Sequence, residues 1–466
     1  MMRALLLLAP VFCVTAPAPA QEVKDTPGVQ STPVAQEARP NIILVVTDDQ
    51  RDDLLGVAGH PVLRTPHIDA LAAEGVRFTN AFVTTPICAA SRASILTGAW
   101  ESAHGYTFGT PPLREELVAA SYPALLREAG YRTGLVGKFG VRVPDGETAH
   151  MFDVFRPMGQ PFVQEDADGQ PVHLTDRTRD EALAFLRGCE ADQPFCLSIS
   201  FNAPHAQDAD KDNQYPCAPS EAGLYADAPV PAPLVPEAFR EELPDFLADS
   251  LCRERWFWRW DTPEKYTDNV RAYYRMLTGI DRVVGEVLAE SARLGFADNT
   301  VVLFVGDNGY FLGSRGFAGK WLHYEEALRV PLVVHDPRVA APARGRELPA
   351  MALNVDLAAT VLEYAGVEPP PSCRGRSLVP WVRGDAVADW RVDFYAEHRM
   401  EHAKIPEWEG VRGTRWTYAR YVGRGAAGEF LHDLDADPLQ LVNLAGQAES
   451  AETLEQMRAR CEELRP

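Results

Sequence analysis

The sequence predicts an α/β protein: a large three-layer α/β/α domain with a mostly parallel central sheet, plus a small C-terminal α+β domain with an antiparallel sheet. Three observations carry this reading. Strand-like apolar runs alternate with amphipathic helical stretches up to about Gly384, the order that parallel crossover units require. The runs Asn41–Val46 and Thr300–Val305 are continuously apolar, as strands buried on both faces are. After Gly384 the pattern shifts to shorter β-like runs and one terminal helix.

Residues 1–20 read as a signal peptide. Met1-Met2-Arg3 supplies one positive charge, Ala4–Val14 an apolar stretch too short for a bilayer, and Ala18-Pro19-Ala20 a small-x-small cleavage site. Residues 21–38 form a linker containing Pro, Thr and Gln. The main α/β domain is expected over 39–384. After Asn41–Val46, Thr65-Pro66 caps a short helix that buries Ile68, Leu71 and Ala72 and stops at Gly75. The helix Pro123–Ala129 stops at Gly130 before the strand Tyr131–Val136, and the helix Arg179–Arg187 precedes the strand Phe195–Phe201. Residues 208–262, rich in Pro, Asp and Ala, read as an insertion over the core. A long amphipathic helix through Val270, Leu277, Ile280, Val284 and Leu288 leads into Thr300–Val305. In the C-terminal domain, 385–466, strands at Arg391–Tyr395 and Trp416–Val422 precede a helix from a Ser450 cap to Leu464.

A chain of 466 residues with 46% hydrophobic side chains has the material for a large core, which excludes a disordered class. Sixty-six acidic against 45 basic residues give a net charge of −21, which excludes nucleic acid as a partner without a basic patch, and none is present. No stretch reaches the ~20 uninterrupted apolar residues of a membrane helix. The leader implies export, to the periplasm or beyond, and an oxidising compartment admits disulfides. Of the eight cysteines, Cys13 leaves with the leader. Cys189 with Cys196, and Cys217 with Cys252, are candidate pairs.

Open parallel sheets hold ligands beyond the carboxyl ends of their strands. There the strand Asn41–Val46 runs into Asp48-Asp49, and Thr300–Val305 into Asp307-Asn308. Three carboxylates and an amide oxygen make a hard, all-oxygen set suited to calcium or magnesium. The most specific stretch is Pro86-Ile87-Cys88-Ala89-Ala90-Ser91-Arg92…Thr97-Gly98. Cys88 opens a helix that Gly98 ends, so an anion beside it would meet free N–H groups, with Arg92 one turn on.

Cys88-Ala89-Ala90-Ser91-Arg92 matches the C-x-[PA]-S-R signature, and the chain resembles a type I sulfatase of the alkaline phosphatase superfamily. The likeness extends through Thr65–Phe82, Gly309–Pro331 and Leu434-Asp435-Ala436-Asp437-Pro438…Asn443-Leu444. It implies that Cys88 is oxidised by a maturation enzyme to formylglycine, whose hydrate is the nucleophile; Ala90 leaves open which maturation enzyme does this. It further implies that Asp48, Asp49, Asp307 and Asn308, with the modified residue 88, hold one calcium ion. Arg92 orients the formylglycine, and Lys138 and Lys320 clamp sulfate oxygens. His205 hydrogen-bonds the ester and is the candidate general acid for the leaving alkoxide.

One departure stands out. The family has Lys-x-His where this chain has Lys138-Phe139-Gly140, so a histidine is missing. His104 is the candidate to fill its place, the alternative being a satisfied loop histidine. The implied substrate is a sulfate monoester on sulfated carbohydrate, with His398, Arg399 and Arg412 expected at the rim of the pocket. Two other readings stay open: a phosphonate or phosphate ester hydrolase on the same fold, and a sulfated-glycan binder whose Cys88 remains a thiol.

Overall fold

The computed structural model describes residues 39–166 and 168–466. The leader and linker expectations, residues 1–38, lie outside the described residues, as does Cys13.

Ten strands precede the C-terminal region: β1 (Asn41–Thr47), β2 (Val76–Phe82), β3 (Arg132–Gly137), β4 (Val154–Pro157), β5 (Val163–Glu165), β6 (Pro171–His173), β7 (Phe195–Ser200), β8 (Thr300–Gly306), β9 (Leu332–His335) and β10 (Arg346–Leu353). Apart from the small β5–β6 hairpin they form one sheet, ordered β10-β2-β9-β8-β1-β7-β3-β4. Every neighbouring pair is parallel except the two made by β9, which runs antiparallel between β8 and β2.

The alternation of side chains along the central strands divides the core in two. Ile42, Leu44, Val46, Val301, Leu303 and Val305 join one apolar cluster, while Ile43, Val45, Val302 and Phe304 join the other. A strand with a full apolar layer on each side is what the unalternating runs in the sequence require. Each such side chain contributes about 1.5–3 kcal/mol by leaving water. The helix Pro263–Arg293 covers the second face through Val270, Leu277, Ile280, Val284 and Val287.

The two proposed disulfides do not form: all seven described cysteines are free. Cys196 and Cys252 belong to one apolar layer, whereas Cys189 and Cys217 pack against the other, so each pair is split across the sheet. Neither Thr65 nor Ser450 makes a side-chain cap bond to its helix, although the helices Pro66–Glu74 and Ala451–Leu464 form where expected.

The C-terminal strands β11 (Asp393–His398), β12 (Trp408–Gly413), β13 (Trp416–Tyr421) and β14 (Glu429–Asp433) make an antiparallel meander. One face, with Tyr395, Val411, Tyr418 and Leu431, packs on Leu454 and Cys461 of the terminal helix. The other, with Phe394, Ala396, Trp408 and Phe430, continues the first core layer, so residues 39–466 form one compact unit. Residues 208–262 hold short helical turns and the helix Leu251–Arg259, and no strand. No helix among the described residues is long and apolar enough to cross a membrane.

Register sets the site. Thr47 pairs with Gly306, Val46 with Ser200, and Gly137 with Ser200. The residues that follow these strands, Asp48, Asp307, Lys138 and Phe201, therefore leave the sheet at one level.

Candidate active site

Asp48 and Asp49 leave β1 as Asp307 and Asn308 leave β8, and main-chain bonds lace the two ends together. Asp307 N donates to Thr47 O (2.9 Å) and Gln50 N to Asn308 O (3.0 Å). Asp49 N donates to Asp307 Oδ1 (3.3 Å), and Asn308 Nδ2 to Asp49 Oδ1 (2.6 Å). Asp49 holds φ at +55°, a left-handed conformation that is costly for a side-chain-bearing residue and persists where the surroundings impose it.

Three cations converge on these carboxylates. Lys138 Nζ pairs with Asp48 Oδ2, Lys320 Nζ with Asp49 Oδ1 (2.5 Å), and Arg92 Nε with Asp307 Oδ2 (2.7 Å). Lys138 reaches its place because Gly137 turns the chain at φ +95°, where a Cβ would fall 1.9 Å from Ser200 O. Arg92 rises from the helix Cys88–Thr97, whose end is set by Gly98 in the left-handed region at φ +69°. It also donates to Lys138 O (2.9 Å) and to Ser200 Oγ, so one guanidinium ties three strand ends together.

Burial alone would raise Asp48, but Lys138, His205, Lys320 and Arg92 outweigh it and hold the carboxyl well below its usual range. Burial and the neighbouring charge of Asp48 push Asp307 above the usual carboxylate range. Burial also raises the Cys88 thiol, against the pull of Lys138 and Lys320. A protonated, desolvated thiol is a poor nucleophile.

His205 Nε2 lies 3.7 Å from Asp49 Oδ2, and its Nδ1 donates to Ala206 O (2.7 Å), so the neutral ring presents Nε2 as an acceptor. Burial and Lys320 lower its pKa.

The donor set fits a hard divalent cation. Asp48 Oδ1 and Asn308 Oδ1 are buried without any hydrogen-bond partner, a costly state that a cation would relieve. Ligand atoms of Asp48, Asp49 and His205 all lie within 4.8 Å of one another.

A cavity of about 440 Å³ opens over this centre and is lined in part by Asp48, Cys88, Lys138, His205 and Lys320. It thus gathers the nucleophile candidate, both lysines and the histidine. Gly140 also lines it, and so do Tyr106, Gln160, Asn202, Asp208, Arg255 and Trp321. Sequence reasoning missed these last six. Asp208 lies three residues past His205, near enough to have been noticed; Arg255 has no local motif.

The expected rim residues stand elsewhere. His104 is buried, with Nε2 on Ser94 Oγ (3.2 Å) and Nδ1 accepting from Tyr106 N (3.0 Å), and burial pushes it down to about 3. It is the satisfied histidine and not a substitute for the missing one. His398 has no exposed surface because β11 extends to it and turns it inward. Arg412 is buried on β12, where it pairs with Glu325 through Nε and Nη2 (3.0 Å each) and stacks 4.3 Å over Phe82. Arg399 is half-exposed and pairs with Glu397 (3.0 Å). None of the four lines the cavity.

The sulfatase family profile matches residues 40–367, and the profile of the N-sulphoglucosamine sulphohydrolase C-terminal region matches residues 313–466. An N-acetylglucosamine-6-O-sulfatase of Bacteroides thetaiotaomicron is 28% identical over 497 residues, covering 91% of this chain and 86% of its own. An arylsulfatase of Clostridium perfringens is 26% identical over 470 residues, covering 90% and 93%. A structure solved in complex with its substrate, D-glucosamine-2-N,6-O-disulfate, matches with a TM-score of 0.75 at 25% identity, covering 91% of this chain and 97% of the other. A phosphonate monoester hydrolase of Agrobacterium radiobacter has a TM-score of 0.76 at 22% identity, covering 91% and 95%, a likeness of fold alone. The chain belongs to the sulfatase family of the alkaline phosphatase superfamily and is by class a sulfuric ester hydrolase.

Proposed function

We propose that this protein is an exported sulfatase that hydrolyses sulfate monoesters on sulfated carbohydrate, through a formylglycine hydrate made from Cys88 and with one calcium ion. The observation that carries the reading is that Cys88 shares one cavity with Asp48, Lys138, His205 and Lys320, beside which Asp49, Asp307 and Asn308 are bonded to one another. The glycan part draws on relatives named for sulfated sugars and on the neighbour solved with a disulfated glucosamine. Export rests on the charged, apolar and small-residue pattern of residues 1–20.

Asp48, Asp49, Asp307 and Asn308 would hold the calcium, which when bound screens sulfate charge, while the hydrated aldehyde at position 88 supplies the attacking hydroxyl. Lys138 and Lys320 then turn from the carboxylates toward the sulfate oxygens and stabilise charge as it builds in the transition state. Arg92 keeps Asp307 and the strand ends in register throughout. His205 must carry a second proton on Nε2 to serve the leaving oxygen. The single negative charge of a bound sulfate monoester favours that imidazolium, against the burial that disfavours it in the free protein.

The test is sulfate release from a panel of sulfated mono- and disaccharides, with Cys88→Ala as control and mass spectrometry of the Cys88 peptide. Release that Cys88→Ala abolishes, with a peptide lighter than the thiol form, is the expected result. Faster cleavage of phosphonate monoesters would move the assignment to that hydrolase class. An unmodified Cys88 with binding and no release would make the protein a sulfated-glycan binder.

A further inference from the structure

The insertion and the loop leading into it place two charged side chains in the active-site cavity that the sulfate chemistry does not use, Asp208 and Arg255. Asp208 is shared. Its Oδ1 takes Arg259, and its Oδ2 takes Nη2 of Arg255 at 2.8 Å. Arg259 is wholly buried and further fixed by Gln214 Oε1 (2.7 Å) and Tyr310 Oη (3.3 Å).

Here each guanidinium takes one oxygen, so Arg255 engages Asp208 through Nη2 alone. Arg338, by contrast, engages Asp336 through Nε and Nη2 together (2.8 Å each). Arg255 Nε is buried with no partner, while the side chain as a whole is 17% exposed and lines the cavity. The guanidinium also lies 4.9 Å over the ring of Trp321, another lining residue, whose backbone is held at φ +75°. Strain of this kind gathers at ligand sites, and here it seats the aromatic support of a cation. Two arginines against one aspartate leave a positive charge beside the cavity, separate from the two lysines.

We propose that Arg255 is a specificity residue that reads a second anionic group, a sulfate, sulfamate or carboxylate, on the sugar that leaves. Asp208 holds the guanidinium by one nitrogen and Trp321 supports its face. The substrate oxyanion takes the part of the guanidinium that faces the cavity and that Asp208 leaves free. This rests on the sulfatase reading and narrows its substrate class to sugars bearing at least two negative charges.

The experiment uses pairs of sulfated sugars that share the ester to be cleaved and differ in whether they carry a second sulfate, sulfamate or carboxylate. The preference is read twice, as a ratio of kcat/KM for sulfate release and as a ratio of calorimetric Kd on Cys88→Ala protein. The doubly anionic member should win by about tenfold or more, the worth of a charged hydrogen bond. Arg255→Gln should bring the preference to within about twofold, and Arg255→Lys, which keeps the charge, should retain part of it. No preference in the wild type overturns the assignment. So does a preference that survives Arg255→Gln, including the case where both members weaken equally, which would make Arg255 a structural partner of Asp208. Absence of release from every sugar, with the preference intact in Kd, would sink the hydrolase reading and leave the subsite standing.

Discussion

A Cβ placed on Gly140 would sit 2.6 Å from Cδ of Arg92. The missing histidine is therefore not a simple exchange: the stem of Arg92 fills the space a side chain needs, and φ at +71° disfavours any residue but glycine. Tyr106 closes the same corner, its hydroxyl donating to Gly140 O (3.3 Å) and accepting from Arg142 N (2.9 Å). Gly140→Ala should cost about 1–3 kcal/mol in thermal unfolding and lower sulfate release by displacing Arg92 from Asp307. Gly140→His should do the same more severely. A Gly140→His variant with wild-type Tm and faster turnover would show that the corner has room.

Lys138 and Lys320 bear on the sulfate unequally in burial: the Lys138 side chain is 20% exposed and that of Lys320 3%. Lys320→Ala should reduce kcat/KM for sulfate release by about 10²–10³, the worth of one preorganised donor to a developing anion. It should also destabilise the cation-free protein by about 3–5 kcal/mol, because Asp49 would lose its buried partner. Lys320→Arg should not rescue activity, since a planar fork cannot take the seat of a compact ammonium. Steady-state kinetics and denaturant unfolding of the two variants check both halves.

The unpartnered oxygens of Asp48 and Asn308 predict that calcium stabilises the fold. At a hundredfold excess over Kd the gain should be about 2.7 kcal/mol, seen as a rise in Tm that a chelator reverses. Asn308→Ala should weaken that response, and zinc should not reproduce it, because amide and carboxylate oxygens suit harder ions. An unchanged Tm across a calcium titration would remove the ion from the site.

What the sequence disclosed, and what it hid, follows from where each signal is local. The strands β1 and β8 are almost wholly apolar runs, so their burial on two faces could be read directly, whereas β7 carries Ser198 and Ser200. The strand-end carboxylates came with them, since Asp48 and Asp307 directly follow β1 and β8. By contrast β2, Val-Arg-Phe-Thr-Asn-Ala-Phe, mixes polar residues into a strand near the edge, and β9 has four residues, too short to show that it runs antiparallel. Arg412 looked like a rim residue because charge suggests solvent, but its partner Glu325 is 87 positions away and its ring partner Phe82 further still. Arg255 was invisible for the same reason: its neighbours Asp208 and Trp321 meet it through folding alone.

His398 offers the sharpest check on the inward turn of β11. It has no exposed surface, neither ring nitrogen has a partner beyond its own residue, and burial pushes it from 6.5 down to about 3. The native ring thus stays neutral as pH falls from 6.5 toward 3, while the unfolded ring takes up a proton. The unfolded state gains, and stability is lost across that window at about 1.4 kcal/mol per pH unit. His398→Leu removes the titrating group and replaces two unpaired nitrogens with carbon. It should unfold within about 1 kcal/mol of the wild type at pH 8 and gain about 2 kcal/mol on it by pH 5. Because His398 does not line the cavity, the variant's preference among sulfated sugars should stay that of the wild type. A difference in unfolding free energy that stays constant from pH 8 to pH 5 would mean the native ring is protonated, and so reaches water; a changed sugar preference would return His398 to the pocket.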